Sequence, residues 1–328
     1  MRIAVTGSIA TDHLMAFPGS FTDQLLADSL DKISLSFLVG GLDVRRGGVA
    51  ANIAYGLGGF GLDPVLVGAV GDDFAEYRVW LKEHGVDTDA VHVSATRQTA
   101  RFSCVTDRDM NQIAAFYAGA MSEARDISIG HVAEYAGGLD LVLVAPNDPE
   151  AMLRHTTECR ALGIPFASDP SQQLATLTGP QIAHLVEGAT WLFTNEYEAA
   201  LLLERTGWER ADVLRKVGAW VTTLGADGAR IERDGDAPVV LPAVPARSTA
   251  DPTGVGDAFR AGFLAATGRG LPAESAARLG CALATTVLAA VGPQEYEVDP
   301  AALFADITAA YGREAAAEFT PWLGEAPR

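Results

Sequence analysis

Residues 139–168, LDLVLVAPNDPEAMLRHTTECRALGIPFAS, contain the pattern that decides the fold. The apolar run 139–145 predicts a short buried strand, 149–162 has the apolar spacing of a helix, and 165–168 predicts the next strand. The same alternation of strand and helix recurs through most of the chain. It predicts an α/β fold whose central sheet is largely parallel and is covered by helices on both faces.

The other predicted elements continue this alternation in both directions. Further strands are expected at 2–6, 65–70, 190–194 and 219–223, with helices at 49–60, 74–84, 178–188 and 196–206. The last part of the chain is predicted to be almost entirely helical, at 254–269, 272–291, 300–310 and 312–323. No internal repeat or long linker interrupts the order, so we expect one domain spanning residues 1–328.

Two regions depart from the alternation and predict a second, smaller sheet. They are ISLSFLV at 33–39 with the following DVRR, and 91–117, which contains VHVS, ARFSCVT and QIAAFY. Period-2 alternation with few helix signals favours antiparallel strands. We expect these strands to form a lid, inserted into the domain at about 13–46 and 91–118.

Composition excludes several classes of protein. The formal charge of −18 over 328 residues repels polyanions, so nucleic acid is not an expected partner. The three cysteines are widely separated and lack C-x-x-C spacing, which argues against zinc or a disulfide framework and favours a reducing compartment. The beginning lacks a secretion-signal pattern, and the longest apolar run, 279–292, is too short to span a bilayer. We therefore expect a cytoplasmic protein with no membrane partner.

The segment DPTGVGDAF at 251–259 is the strongest candidate for chemistry. Gly254 and Gly256 immediately precede a helical pattern, so the backbone N–H groups of 254–257 would point out of a helix N-terminus and form a hole for a phosphate-sized anion. Asp257 has two interpretations. It caps the helix, or it accepts the proton of a substrate hydroxyl while the N–H groups stabilise the transferring phosphoryl.

Two segments in the first fifth of the chain could bind the acceptor. In RRGGVAANIA at 45–54 a glycine pair precedes a helix, and the Asn52 amide could bind a diol; a tight turn with a polar first helical turn is the alternative. Asp12 follows the first strand, where strand carboxyl ends face a ligand crevice in open α/β sheets.

Two later segments could bind nucleotide and metal. NEYE at 195–198 has the spacing of a capping box, and its alternative use is to hold Mg²⁺ through Glu198, by way of water. TTLGADG at 222–228 is a strand followed by a glycine-rich turn, which by itself is typical of a hairpin.

Familiar nucleotide-binding motifs are missing from the sequence. The only lysines, Lys32, Lys82 and Lys216, do not follow a glycine, which excludes a P-loop. The first strand is followed by TGSIATD and not by G-x-G-x-x-G, which argues against a dinucleotide-dependent dehydrogenase. The six histidines form no H-E-x-x-H motif.

Taken together, GGVAANIA, NEYE, TTLGADG and DPTGVGDAF resemble, in order, the motifs of the ribokinase-like, or phosphofructokinase B type, carbohydrate and nucleoside kinases. The strongest resemblance is to the adenosine kinases of actinobacteria, through TGSIATDHLMAFPG, SLSFLV, TARFSC, FYAGAMSEAR, DPSQQLA and LFTNEYE. The resemblance implies a three-layer α/β/α domain with a small β-sheet lid. It also implies a homodimer that shares the lid sheet, with Ser36 reaching the partner's site.

The resemblance assigns roles to the remaining candidates. Asp257 would be the base that activates the ribose 5′-hydroxyl, with the anion hole formed by the N–H groups of Gly254, Val255 and Gly256. Phe102 and Phe116 would sandwich the purine, unless they only form the core of the small sheet. Other acceptor contacts would come from Ser8, Asp12, Gly48, Asn52, Gln172 and Gln173. Contacts to ATP would come from Asn195, Thr223, Gly225, Gly228 and Gly256, with Glu198 near magnesium.

The resemblance therefore implies an adenosine kinase that converts adenosine and ATP to AMP and ADP with Mg²⁺, while a requirement for K⁺ stays open. Val255 replaces an alanine that is more usual in the family, and this leaves the backbone donors unchanged. The alternatives are a kinase for inosine, guanosine, ribose or fructose, and a non-catalytic nucleoside-binding protein.

Overall fold

The computed structural model describes residues 1–24 and 36–324, and its largest element is an eight-stranded sheet. The strand order is β14-β13-β12-β11-β10-β9-β1-β4. These strands are β1 (Ile3–Thr6), β4 (Val65–Val67), β9 (Leu141–Val144), β10 (Phe166–Ser168), β11 (Trp191–Asn195), β12 (Ala219–Thr223), β13 (Ala229–Glu232) and β14 (Val239–Leu241). All neighbouring pairs are parallel except β12–β13 and β13–β14.

Helices cover both faces of this sheet, because successive strand residues point to opposite sides. Ile3 and Val5 pack into one apolar cluster with α1, α8 and α9, whereas Ala4 packs into a second cluster with α4, α5 and α6. The helices are α1 (Val49–Gly59), α2 (Ala75–Glu83), α3 (Ile129–Tyr135), α4 (Pro149–Leu162), α5 (Gly179–Val186), α6 (Glu196–Thr206), α7 (Arg210–Leu214), α8 (Val255–Thr267), α9 (Ala273–Leu288), α10 (Pro300–Tyr311), α11 (Arg313–Ala317) and α12 (Thr320–Leu323). The predicted three-layer α/β/α architecture with a mainly parallel sheet is confirmed.

The strand order reverses direction between β1 and β9. From β1 the chain proceeds to β4 on one side, while β9 to β12 extend on the other. The N–H of Ser8 donates to the carbonyl of Pro146 at 2.8 Å, which ties together the carboxyl ends of the two strands. Open α/β sheets bind ligands at such a reversal, so the fold itself indicates where a site lies.

A separate four-stranded sheet projects from this edge, in the order β3-β2-β7-β8. Its strands are β2 (Ala10–Ala16), β3 (Gly41–Gly47), β7 (Ala100–Thr106) and β8 (Gln112–Tyr117). Strands β2 and β7 are parallel, and the other two pairs are antiparallel. The small sheet is thus present but is not purely antiparallel as predicted. Its use as a lid stays a prediction.

Three local predictions were wrong. Of the expected strand 33–39, residues 36–39 are not in a strand, and 33–35 lie outside the described residues. The VHVS segment does not join the small sheet: β6 (His92–Val93) pairs instead with β5 (Ala69–Val70). The last predicted helix, 312–323, is divided into α11 and α12, because Pro321 lacks the backbone N–H that would bond a carbonyl in α11.

A buried ion pair holds α8 against the middle of the main sheet. Nη2 of Arg260, in the second turn of α8, donates to Oδ1 of Asp169 at 2.7 Å, and Asp169 immediately follows β10. Both side chains are almost completely buried. A second nitrogen of Arg260, Nη1, donates to the carbonyl of Gly256 at 3.0 Å. The ion pair therefore fixes the position of the beginning of α8.

We expect Asp169→Ala to lower the free energy of unfolding by about 3–5 kcal/mol, because it leaves the Arg260 guanidinium buried without its partner. The exposed pair Arg247–Asp306 provides the control, since Arg247→Ala should cost no more than about 1 kcal/mol. Urea unfolding followed by circular dichroism measures both. Equal losses in the two variants would contradict the structural role of Asp169.

No helix within residues 1–24 and 36–324 has the length and hydropathy needed to cross a bilayer.

Candidate active site

The first turn of α8 begins at a glycine that the backbone requires. Gly254 has φ +78°, and a Cβ there would lie 2.4 Å from Cβ of Pro293. Only glycine adopts this conformation without strain and fits the space. Of the N–H groups that follow, that of Val255 makes a long bond of 3.4 Å to the carbonyl of Pro252, and Gly256 is exposed to solvent. The glycine start of α8 is as predicted, and the anion hole at this helix N-terminus stays a prediction.

Asp257 lies in this first turn and contacts another helix. Its Oδ2 accepts a hydrogen bond from Nδ2 of Asn52, in the first turn of α1, at 2.8 Å. The carboxylate thus bonds across the cleft, which does not favour the capping interpretation. Burial raises the pKa of Asp257 to about 7, although the Asn52 hydrogen bond and the positive charge of Arg260 act in the opposite direction. A carboxyl that titrates near neutral pH suits a general base.

Asn52 is held from its other side by a residue that the sequence interpretation missed. Nε2 of Gln294 donates to Oδ1 of Asn52 at 2.9 Å and also to the hydroxyl of Tyr77. Gln294 is buried in the loop after α9, 242 residues from Asn52. No motif or spacing in the sequence links these side chains.

The small sheet places three predicted acceptor residues, Asp12, Phe102 and Phe116, in one row with Arg45. Arg45, Asp12, Phe102 and Phe116 are directly paired across its four strands, so all four side chains lie on one face. Asp12 is therefore in the middle of β2, and not at the carboxyl end of a main-sheet strand as expected. Burial raises the pKa of Asp12 to about 6, while Arg45 lowers it and Asp251 raises it.

The register also places the two aromatic residues next to each other. Directly paired residues have Cβ atoms about 5 Å apart, so the two rings extend from neighbouring positions on this face. Phe102 is half-buried and Phe116 is 53% exposed, so the pair presents apolar surface to solvent. The predicted sandwich of the purine between Phe102 and Phe116 stays a prediction.

Ser8 and Gly48 lie together where β3 leads into α1. The Ser8 hydroxyl accepts a hydrogen bond from the N–H of Val49 at 3.0 Å. Gly48 has φ +94°, and a Cβ there would lie 2.6 Å from the Ser8 carbonyl oxygen. The glycine is therefore required by a close approach of two backbones, and it directs Asn52 toward α8.

The remaining acceptor candidates have no contact with this group in the structure. Gln173 donates through Nε2 to the Asn147 carbonyl at 2.9 Å, so its amide is already engaged. Gln172 is exposed after β10, and Ser36 is exposed outside the strands of the small sheet. Their predicted roles stay predictions.

A cavity of about 660 Å³ lies on the other side of the α8 N-terminus. Five predicted residues line it: Thr223, Gly225, Gly228, Val255 and Gly256. The rest of its lining is mostly apolar and includes Phe259, Ala284 and Leu288. Its volume is in the range of small-molecule and cofactor sites. The structure thus brings the glycine-rich turn after β12 and the α8 N-terminus into one pocket.

Asn195 and Glu198 form the capping box that was the structural alternative. Asn195 Oδ1 accepts from the N–H of Glu198 at 2.8 Å, and Glu198 Oε2 accepts from the N–H of Asn195 at 2.7 Å. Glu198 Oε1 also accepts from the Ser171 hydroxyl at 3.1 Å. In the described part of the chain, no three His, Cys, Asp or Glu side chains cluster to hold a metal. Both carboxylate oxygens of Glu198 are thus engaged within the protein, and its contact to Mg²⁺ through water stays a prediction.

Several known proteins are similar to this chain in sequence and in fold. The model of the pfkB family of carbohydrate kinases matches residues 11–299. The nucleoside kinase of Methanocaldococcus jannaschii is 31% identical over 76% of this chain and 80% of its own length. That of Methanothermobacter thermautotrophicus is 32% identical over 82% of this chain and 86% of its own length.

A solved structure agrees over nearly the whole chain. The nucleoside kinase of Burkholderia thailandensis in complex with inosine has a TM-score of 0.82 at 35% identity, covering 95% of this chain and 98% of that one. The same enzyme in complex with ADP-inosine has a TM-score of 0.80 at 36% identity, covering 95% and 96%. The resemblance inferred from the four motifs is confirmed at the level of the family: the chain belongs to the pfkB family of carbohydrate kinases and has the ribokinase-like fold.

Proposed function

We propose that this protein is an ATP-dependent nucleoside kinase that transfers the γ-phosphoryl group of ATP to the 5′-hydroxyl of a purine nucleoside, with adenosine as the expected acceptor. One observation carries the proposal: Asp257, with its pKa raised to about 7, lies at a glycine-started helix N-terminus that also lines the 660 Å³ cavity. The proposed general base and a pocket large enough for a nucleotide thus lie at the same helix N-terminus. The relatives named nucleoside kinases support the acceptor class.

The residues of the chain divide the work of phosphoryl transfer. Asp257 accepts the proton of the acceptor hydroxyl as the oxygen attacks the γ-phosphorus, and the bond from phosphorus to the ADP oxygen breaks. The N–H groups of 254–256 stabilise the charge on the transferring group. Mg²⁺ would be held by the nucleotide phosphates and, through water, by Glu198, and it would supply further charge neutralisation. The small sheet, as a lid, excludes water that would compete with the acceptor.

The aromatic surface favours a nucleoside over a free sugar. Phe102 and Phe116 offer an apolar area that the flat face of a base covers and that ribose or fructose leaves exposed. Inosine is the second candidate acceptor, because the similar Burkholderia thailandensis enzyme binds it. The narrower resemblance to actinobacterial adenosine kinases and the cytoplasmic location stay predictions.

The proposed homodimer has a suitable surface on the opposite face of the small sheet. Leu42, Met15, Val105 and Ile113 are directly paired across the four strands, on the face away from Asp12. Leu42 is 60% and Ile113 47% exposed. An exposed apolar row of this kind is typical of an interaction surface. A shared sheet supports the expectation that Ser36 approaches the partner's site.

Asp257→Asn tests the base. Because an amide cannot accept the hydroxyl proton, we expect turnover to fall on the order of 10²–10⁴-fold while adenosine still binds. An ADP-release assay coupled to NADH oxidation measures turnover, and calorimetry measures binding. Near-normal turnover in this variant would show that Asp257 is not the base.

Phe102→Ala tests the aromatic surface. Loss of stacking worth roughly 1–3 kcal/mol should raise KM for adenosine about ten-fold and leave KM for ATP unchanged. Steady-state kinetics with each substrate varied in turn measures both constants. If both rise equally, Phe102 stabilises the small sheet and does not bind the base.

Ala284→Phe tests the cavity as Phe102→Ala tests the aromatic surface. Ala284 lines it from α9, so a phenyl ring there would fill part of the space and raise KM for ATP about five-fold or more, by an overpacking cost of about 1–3 kcal/mol. KM for adenosine should not change. The same two-substrate kinetics measures it, and an unchanged KM for ATP would place the nucleotide elsewhere.

A further inference from the structure

A chain of hydrogen bonds runs from the end of the small sheet to Asp257. The Tyr77 hydroxyl donates to the carbonyl of Gly47, the last residue of β3, at 3.0 Å. Gln294 donates through Nε2 to the Tyr77 oxygen and to Oδ1 of Asn52. Asn52 donates through Nδ2 to Asp257. The chain thus links residues from four separate parts of the sequence.

The carbonyl at the beginning of this chain determines the direction of every bond in it. A backbone carbonyl only accepts, so Tyr77 must donate its hydroxyl hydrogen to Gly47 and use its oxygen as an acceptor. Gln294 then presents its NH₂ group to Tyr77, and the same group faces Asn52. The Asn52 oxygen accepts that bond, so its NH₂ group faces Asp257. The orientations of both amides follow from the network.

We propose that Gln294 and Tyr77 are positioning residues that fix the orientation of the Asn52 amide. In this orientation one N–H of Asn52 donates to Asp257, and the other is available to a ribose hydroxyl of the acceptor. Gln294 and Tyr77 act through Asn52 and hydrogen-bond neither the acceptor nor the Asp257 carboxylate. The part that concerns ribose rests on the proposed function. The part that concerns Asp257 rests on the hydrogen bonds alone.

Asp12, on the acceptor side of the site, also contacts this chain of hydrogen bonds. A Cβ on Gly47 would lie 2.9 Å from Oδ2 of Asp12, so the Asp12 carboxylate lies against the residue that anchors Tyr77. Tyr77 is on α2, which belongs to the main domain. A displacement of β3 relative to α2 therefore alters the bond from Tyr77 to Gly47 and, through Gln294, the donor on Asp257.

Several charged or titratable groups act on Asp257 besides this chain. Those facing it are Arg260 on its own helix, Asp169 after β10, Glu198 on α6, Tyr77 on α2 and Tyr296 after α9. Burial raises the pKa of both tyrosines, so they stay neutral at physiological pH. The Asn52 donor favours the ionised carboxylate, and its loss should raise the pKa of Asp257.

Gln294→Leu is the main test, with Tyr77→Phe as a second variant. Both variants remove donors without adding charge, so the pKa of Asp257 should rise. We expect the acid limb of the kcat/KM profile, near pH 7 in the parent protein, to move up by about one pH unit in Gln294→Leu. The shift should be smaller in Tyr77→Phe. Preference for adenosine over its 2′-deoxy or 3′-deoxy analogue should shrink at the same time. ¹³C NMR titration of aspartate carboxyls, with Asp257→Asn for assignment, measures the shift without any substrate.

Tyr55→Phe is the matched control. Its hydroxyl donates to the Tyr296 carbonyl at 2.8 Å from a buried position on α1, outside the chain of bonds. This variant should lose stability without a shift of the acid limb or of the NMR titration.

The two proposals fail in different ways. If the NMR titration of Asp257 is the same in Gln294→Leu, Tyr77→Phe and the parent protein, the positioning role is overturned whatever the enzyme phosphorylates. If the titration shifts but the parent protein phosphorylates no nucleoside, the positioning of Asp257 stands and the proposed acceptor class fails. An altered titration with unchanged preference between adenosine and its deoxy analogues overturns the assignment of the second Asn52 donor.

Discussion

The ion pair between Arg260 and Asp169 is the contact on which the active-site geometry depends. It joins the second turn of α8 to the loop after β10, and it is almost completely buried. Arg260 also bonds the carbonyl of Gly256, so one guanidinium both attaches the helix to the sheet and stiffens its first turn. The same positive charge limits how far burial raises the pKa of Asp257. Stability and reactivity are thus linked through one side chain.

Glycines determine where the two helices that form the site begin and how closely they approach. Gly254 begins α8 and Gly48 precedes α1, each with a positive φ and no space for a Cβ. Further along α1, a Cβ on Gly56 would lie 2.6 Å from Cβ of Ala261 on α8. Small residues therefore allow the helices to pack closely, and this closeness lets Asn52 reach Asp257. The beginnings of both helices therefore lie close together, and helix N-termini carry positive potential.

Two structural alternatives that the sequence left open have different outcomes. The NEYE segment is a capping box in the structure, and Glu198 uses both carboxylate oxygens for hydrogen bonds within the protein. Asp257, in contrast, bonds a side chain from another helix. Both segments place a carboxylate in the first turn of a helix. Local spacing cannot distinguish them, because the distinction depends on which distant group lies opposite the carboxylate.

The sequence by itself determined the layered α/β architecture, most element positions, the family and the segment that contains Asp257. These features follow from local periodicity, glycine placement and four motifs in order, all of which act over a few residues. The predicted helix 149–162 and the strand 219–223 agree with the structure to the residue. The predicted boundaries failed where strands pair with distant partners, as in the small sheet and in VHVS.

Only the tertiary structure decided the register of the small sheet and the partners of the reactive groups. It placed Asp12 opposite Phe102, put both phenylalanines on one face, and brought Gln294 to Asn52 across 242 residues. It also paired Arg260 with Asp169 in the interior. A sequence pattern by itself predicts that such charged side chains are exposed. The physical reason is that burial and hydrogen bonding depend on which segments meet in space, and a linear pattern carries no record of that pairing.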